Sequence, residues 1–321
     1  MMIPSTNSRG VLCAGSIVFD TIVRAFDQPR WGTTTLVESI DCRVGGNAAN
    51  TARALGILGV PVRLVGALGS DEPARFIRRA LDQSAVDTSA MVTLELPTAA
   101  SVVLVNAAGD RQFLHRLGTS AEVFAQPLEF SPLLCDGISH FHLASMFVIP
   151  NLRANGAAML ANARLVGLTT SFDTNWDAHG EWMQALEPCL PHLDYLFMNE
   201  DEARMITGSS DPDVAAEAVL SRGVRTAVLK LSGRGCAVYT QDSRIVCPAF
   251  KVEAQDTTGA GDCFVAGFIA ARMEGASLAK AGRFANAVAA LSVGKIGATE
   301  GVLPVAEVEA WMLTTPFRPD V

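Results

Sequence analysis

The run Asp256-Thr257-Thr258-Gly259-Ala260-Gly261-Asp262 sets two glycines and a carboxylate directly before an apolar stretch, Cys263-Phe264-Val265-Ala266-Gly267. The glycines leave backbone N–H groups open to a ligand. The apolar stretch starts a helix, so these groups stand at the positive end of its dipole, where phosphate is the favoured anion. A carboxylate beside such a cradle repels the phosphate it should hold. Asp262 therefore makes sense as a proton acceptor for a hydroxyl that attacks phosphorus. The alternative is an Asp that caps a helix in a Gly-rich turn.

Elements must exist to position that run. Short apolar runs alternate with helical patterns along the chain. Strands are predicted at 11–14, 62–65, 138–143, 169–172, 195–198, 227–231 and 236–239. Helices are predicted at 47–58, 73–83, 152–166, 201–207 and 214–222. This alternation is the pattern of a mostly parallel sheet covered by helices on both faces. Segments at about 33–44 and 98–117 carry strand residues with no helix between them, and Ala107-Ala108-Gly109-Asp110 reads as a hairpin turn. They predict a small antiparallel sheet beside the main one, either a plain surface hairpin or an active-site lid. Stretches 259–273 and 277–293 are Ala-rich and apolar nearly all round, as helices buried on several sides are. Residues 1–10 read as a flexible polar lead-in and 11–321 as one α/β domain.

Composition narrows the partners. The 321 residues include 25 basic and 33 acidic side chains, for a net charge of −8, and 49% are hydrophobic. That apolar content supports a large core and excludes disorder as the main state. The acidic balance argues against nucleic acid or an anionic membrane as a partner. No stretch reaches the roughly 18 uninterrupted apolar residues of a membrane span. The seven cysteines form no Cys-x-x-Cys pair and several sit in apolar runs, which predicts reduced thiols and a cytoplasmic protein. The five histidines show no metal-ligand spacing, although His140 and His142 share one face of a strand.

The motif at 256–262 resembles the C-terminal signature of the ribokinase (PfkB) family of carbohydrate kinases. Gly45-Gly46-Asn47-Ala48-Ala49-Asn50-Thr51-Ala52 resembles its N-terminal signature, and Gly66-Ala67-Leu68-Gly69-Ser70-Asp71 another family turn. The motifs stand in the family's order over nearly the whole chain, and their joint occurrence is far more specific than any one Gly-rich loop. The resemblance implies a ribokinase-like α/β fold with a β-sheet lid. It implies Asp262 as catalytic base and the N–H groups of Gly259, Ala260 and Gly261 as an anion hole for the γ-phosphoryl group of ATP. Asn199 and Glu202 are similar to the family's Asn-x-x-Glu motif. The resemblance gives Glu202 a role in holding Mg²⁺ through water; an acidic first helical turn is the alternative. Lys230, Ser232, Gly233 and Gly235 fall in what resembles the nucleotide loop, where many relatives carry Gly in place of Ser232; a tight hairpin is the other reading. Asn286 falls where the family contacts adenine or ribose. Asp256 and Thr258 match a region that binds a monovalent cation such as K⁺ in many relatives.

For the acceptor, the resemblance implies Asp20, placed on a loop after the first strand, together with Gly46, Asn47 and Asn50. A carboxylate accepts two hydroxyl hydrogen bonds and so orients a polyol. Arg111, on the lid hairpin, would touch sugar or phosphate. Asp173-Thr174-Asn175 ends another strand near the phosphates, with its role open. The implied activity is ATP-dependent phosphorylation of a hydroxyl, primary in the usual case, on a small sugar such as ribose or fructose. A nucleoside kinase of the same family is the alternative, and a non-catalytic sugar-binding regulator a third. A P-loop kinase and a dinucleotide-binding dehydrogenase are disfavoured, because neither glycine motif occurs. Lid strands with free edges predict a homodimer.

Overall fold

The computed structural model of the chain describes residues 10–24, 31–106, 108 and 111–319. Apart from Gly10, the predicted lead-in lies outside the described residues, and so does the turn at 107–110 except for Ala108.

The described residues form a nine-stranded main sheet. Its spatial order is β15 (Ser243–Cys247), β14 (Cys236–Thr240), β13 (Thr226–Lys230), β12 (Tyr195–Asn199), β11 (Thr169–Asp173), β10 (Ile138–Ala144), β1 (Gly10–Ala14), β4 (Val62–Val65) and β6 (Val86–Asp87). Pairing is parallel from β13 to β6 and antiparallel for β13–β14 and β14–β15. A short parallel pair joins β5 (Ala67–Leu68) and β7 (Val92–Thr93).

Helices cover both faces, as buried-on-both-sides strands require. Within β1, Val11 and Cys13 join one apolar cluster, while Leu12 and Ala14 join the other. The first cluster collects residues of α1 (Asn47–Ile57), α2 (Glu72–Gln83), α7 (Ala260–Met273), α8 (Leu278–Val293) and α9 (Val305–Thr314). The second collects α3 (Pro150–Leu165), α4 (Met183–Leu186), α5 (Glu200–Thr207) and α6 (Pro212–Leu220). The all-round apolar character of α7 and α8 follows from their position between the sheet, α1 and one another. Among the described residues, no helix is long and apolar enough to cross a membrane.

A second, four-stranded sheet stands apart, in the order β3 (Ser39–Gly45), β2 (Val18–Arg24), β8 (Ala100–Val105) and β9 (Arg111–Arg116). It corrects two expectations. The sheet is mixed, because β2 runs parallel to β8 while β2–β3 and β8–β9 are antiparallel. Asp20 lies within β2 and not on a loop, paired across the sheet with Arg43 and Ser101. The strand escapes a sequence reading because its burial is partial and broken by Asp20 and Arg24.

Candidate active site

The C-terminal ends of β1, β10, β11, β12 and β13 open toward the N-terminal turn of α7, where open α/β sheets bind ligands. Gly259 begins that turn with φ +69°, a left-handed conformation that favours glycine, and a Cβ there would stand 2.7 Å from the Cβ of Ala298. The backbone can then deliver Asp262 into the first turn of α7, buried to 5% exposure.

Two amides hold the Asp262 carboxylate. Asn47 Nδ2 donates to Oδ1 at 2.9 Å and Asn50 Nδ2 to Oδ2 at 2.8 Å. Both asparagines lie on the first turn of α1, directly after lid strand β3. Gly46 makes that junction at φ +92°, where a Cβ would run into the carbonyl oxygen of Ser16. A carboxylate only accepts, so the Asn47 amide nitrogen must face Asp262 and its oxygen must face away. That oxygen accepts from Ser145 Oγ at 3.0 Å. Ser145 Oγ lies 2.6 Å from Ser16 Oγ, which also accepts from the Asn47 backbone N–H at 3.1 Å. Burial pushes the Asp262 carboxyl up from its ordinary value, against the pull of Asn50, Asn47 and Lys230. A base is improved by such a shift toward working pH. Asn47 and Asn50, expected to meet the acceptor, thus act here as holders of Asp262. The Asn50 Oδ1 atom is buried with no partner among the described residues.

One ammonium stands among three carboxylates at the strand ends. Lys230 Nζ donates to Asp173 Oδ1 at 2.6 Å and lies 3.3 Å from where a Cβ would stand on Gly261. Glu202 and Asp262 act on the same pair. Burial raises the Asp173 carboxyl to about 7, with Lys230 opposing and Glu202 and Asp262 adding to the rise. Burial alone would lower Lys230, but Asp173 and Glu202 outweigh it and the ammonium is held above its ordinary value. Three negative charges competing for one positive charge explain both directions.

Glu202 completes a capping box on α5: its Oε2 accepts from the Asn199 backbone N–H at 2.9 Å while Asn199 Oδ1 accepts from Glu202 N–H at 2.8 Å. Thr174 Oγ1 also donates to that Oε2, at 2.6 Å. The acidic first turn and the metal-facing reading of Glu202 thus occupy the same residue.

A cavity of about 450 Å³ continues from this cluster. Asn199, Lys230, Ser232, Gly233, Gly235, Gly261 and Asn286, the residues expected to bind nucleotide, all line it. Val252, Ala289 and Val293 form an apolar wall suited to a flat base. Asn286 donates to the backbone oxygens of Cys247 and Pro248, at 2.9 and 3.1 Å. The nucleotide loop is also a hairpin turn between β13 and β14, and Ser232 adopts φ +52° there, where glycine would be unstrained. Arg318 was not apparent from sequence. The C-terminal segment pairs Phe317 with Phe250, Arg318 N–H donates to Ala249 O at 2.7 Å, and a Cβ on Gly233 would run into Arg318 Nη1.

Asp20 belongs to the lid sheet itself, its carboxylate packed on the backbone of Gly45. Burial raises it to about 6, opposed by a hydrogen bond from Ser101. Arg111 Nη2 donates to Asp256 Oδ1 at 2.8 Å. Asp256 is therefore not a free cation ligand. Arg24, Thr258 and Gly297 crowd the same carboxylate. His140 and His142 are core residues, pushed down to about 3 by burial and bonded to Ser171 Oγ, with His140 also on Thr169.

Comparison with known proteins identifies the family and the fold. The model of the pfkB family of carbohydrate kinases matches residues 9–306. An ATP-dependent ribose-1-phosphate kinase of Halopiger xanaduensis is 31% identical over 313 residues, covering 96% of this chain and 99% of its own. A nucleoside kinase of Methanothermobacter thermautotrophicus is 29% identical over 288 residues, covering 90% of each. The crystal structure of a putative ribokinase II from E. coli in complex with ATP and Mg²⁺ superposes with a TM-score of 0.82 at 24% identity, covering 94% of this chain and 98% of that one.

Proposed function

The chain belongs to the pfkB family of carbohydrate kinases, and from that premise we propose that it moves the γ-phosphoryl group of ATP onto a hydroxyl of a small sugar. One observation carries the reading: Asp262, gripped by the amides of Asn47 and Asn50, stands in the first turn of α7, directly after the Gly-rich turn that we read as the anion hole. The acceptor hydroxyl lies between Asp20 and Asp262. Its oxygen attacks the γ-phosphorus, its proton passes to Asp262, and the bond to the β-phosphate oxygen breaks to release ADP. The Gly259, Ala260 and Gly261 amides hold the transferring group, and Lys230 supplies charge beside it.

ATP lies in the cavity bounded by Asn286 and Lys230. Mg²⁺ fits the site's chemistry, because Glu202 is a buried oxygen donor at the end of β12 and this ion keeps much of its water. Among the described residues, no group of three or more His, Cys, Asp or Glu is disposed to hold a metal, which suits an ion held chiefly by nucleotide phosphates and water. When bound, Mg²⁺ offsets the charge of the phosphates. A monovalent cation at Asp256 and Thr258 does not fit, because that carboxylate is already saturated.

A nucleoside acceptor shares every residue at the phosphate end and differs only in what lies beyond Asp20. An ADP-release screen over ribose, fructose, ribose 1-phosphate, deoxy-keto-acid sugars, adenosine and other nucleosides separates the readings. Sugar binding by calorimetry with no ADP from any acceptor would revive the non-catalytic alternative. A homodimer through the lid is supported by Ile40, Val102, Phe113 and Leu114, which leave apolar surface exposed on its strands. Sedimentation showing only monomer at micromolar concentration would count against it. Buried free thiols at Cys13, Cys189, Cys236, Cys247 and Cys263 support a reducing, cytoplasmic setting.

A further inference from the structure

Asp256 leads into the turn that carries the anion hole, and its side chain is fully buried. Among the described residues five donors converge on it. Oδ1 accepts from Arg111 Nη2 at 2.8 Å, Thr258 N–H at 3.0 Å and Thr258 Oγ1 at 2.6 Å. Oδ2 accepts from Arg24 Nη2 at 2.7 Å and Gly297 N–H at 3.2 Å. A carboxylate offers about four lone-pair sites, so none is left for an ion.

The two arginines come from the lid. Arg24 ends β2 and Arg111 begins β9, and both are in register with Val105 on the strand between them. Side chains in one cross-strand row share a face of the sheet. Two positive charges on one face repel unless a carboxylate lies between them, and Asp256 is that carboxylate. Among the described residues two guanidinium groups meet one acid there, an arrangement that repels K⁺ and favours phosphate nearby. Asp256 thus gathers the lid, the turn before α7 through Thr258 and the loop after α8 through Gly297.

We propose that Arg24 and Arg111 stand in for a monovalent cation at Asp256: as positioning residues they neutralise it, clasp the lid to the anion-hole turn, and leave phosphoryl transfer indifferent to K⁺. The proposal rests on the kinase reading above, but its physical part can be tested separately.

The test compares the full-length protein in KCl, NaCl and choline chloride at one ionic strength, by thermal melting and by ADP release. Wild-type protein is expected to melt at the same temperature in each salt, and its turnover to vary by less than about twofold. In the double variant Arg24→Ala/Arg111→Ala, turnover in choline chloride is expected to fall about tenfold and to recover in part in KCl, with a higher melting temperature in KCl. Arg24→Lys/Arg111→Lys keeps the charge and should retain the indifference. If the double variant fails to fold, Arg24→Gln and Arg111→Gln are read singly for the same response at smaller size. A K⁺ requirement or a K⁺-raised melting temperature in the wild type overturns the proposal. So does a double variant that matches wild type in every salt, or one whose loss no cation relieves. Absence of ADP release from every acceptor defeats the kinase reading instead, while the melting comparison still decides the clasp.

Discussion

Asn47 Nδ2 and Asp262 Oδ1 lie 2.9 Å apart although 215 positions separate the residues in sequence. The contact welds the start of α1 to the first turn of α7, so the residue just past the lid strand aims the proposed proton acceptor. The neighbouring Asn50 amide, at 2.8 Å from the other oxygen, removes the carboxylate's remaining freedom to rotate.

Asp262→Asn removes the proton acceptor without changing its size. Turnover with the true acceptor should fall by at least ~10²-fold while ATP binding is retained. Steady-state kinetics with nucleotide binding by calorimetry checks this, and wild-type turnover in the variant would exclude Asp262 as base.

Asp20 must be ionised to accept two hydroxyl hydrogen bonds, and burial has raised it to about 6. As pH falls through that value the carboxyl gains a proton, so kcat/KM for the acceptor should drop, approaching tenfold per unit below it. Asp262, also pushed upward by burial, adds a decline in kcat. Asp20→Asn should raise the acceptor KM by about 10- to 100-fold and abolish the Asp20 limb of the profile. A wild-type acceptor KM that does not change with pH would contradict this role.

Lys230→Met leaves Asp173, Glu202 and Asp262 without their shared cation. Breaking a buried pair costs about 3–5 kcal/mol, so the variant should unfold at lower denaturant and bind ATP more weakly. Adding Asp173→Asn should restore part of the stability but not the ATP affinity. Denaturation curves of the single and double variants measure the difference.

Arg318→Ala should weaken ATP and ADP binding by about tenfold and leave the acceptor KM unchanged, because the guanidinium lies at Gly233 in the nucleotide cavity. Equal affinity in the variant would show that the C-terminal segment only packs on Phe250.

Ser232→Gly should relieve the left-handed backbone at φ +52°. The strain of a non-glycine residue there is about 1–2 kcal/mol, and the added freedom of the unfolded chain takes back part of it. A net gain of about 0.5–1 kcal/mol is expected, read as a higher denaturation midpoint.

The main sheet was legible because its central strands are runs of buried apolar residues, such as Val11 to Ala14, α1 because its small and apolar residues repeat along one face, and α7 because it is Ala-rich and apolar nearly all round. The strand β2 was not, because Asp20 and Arg24 give it the look of a loop, and the edge strand β15 was hidden by its exposed polar residues. At the site, the Gly-rich turn and Asp262 are legible from local spacing, whereas the nucleotide-lining residues from Asn199 to Gly235 come only from the resemblance to the family. The partners of Asp256 come from neither. Arg24 meets it across 232 positions, and no periodicity encodes a contact made by tertiary folding alone. The sequence places Asp173 at a strand end, but its tie to Lys230 depends on β11 and β13 flanking β12.

Gly46 is the joint at which β3 stops and α1 begins, and Asn47 is the next residue along. Any tilt of that strand is felt at once by the amide steadying the aspartate. A side chain at Gly46 would press on the carbonyl of Ser16 and so disturb the strand, the helix start and the support of the aspartate together.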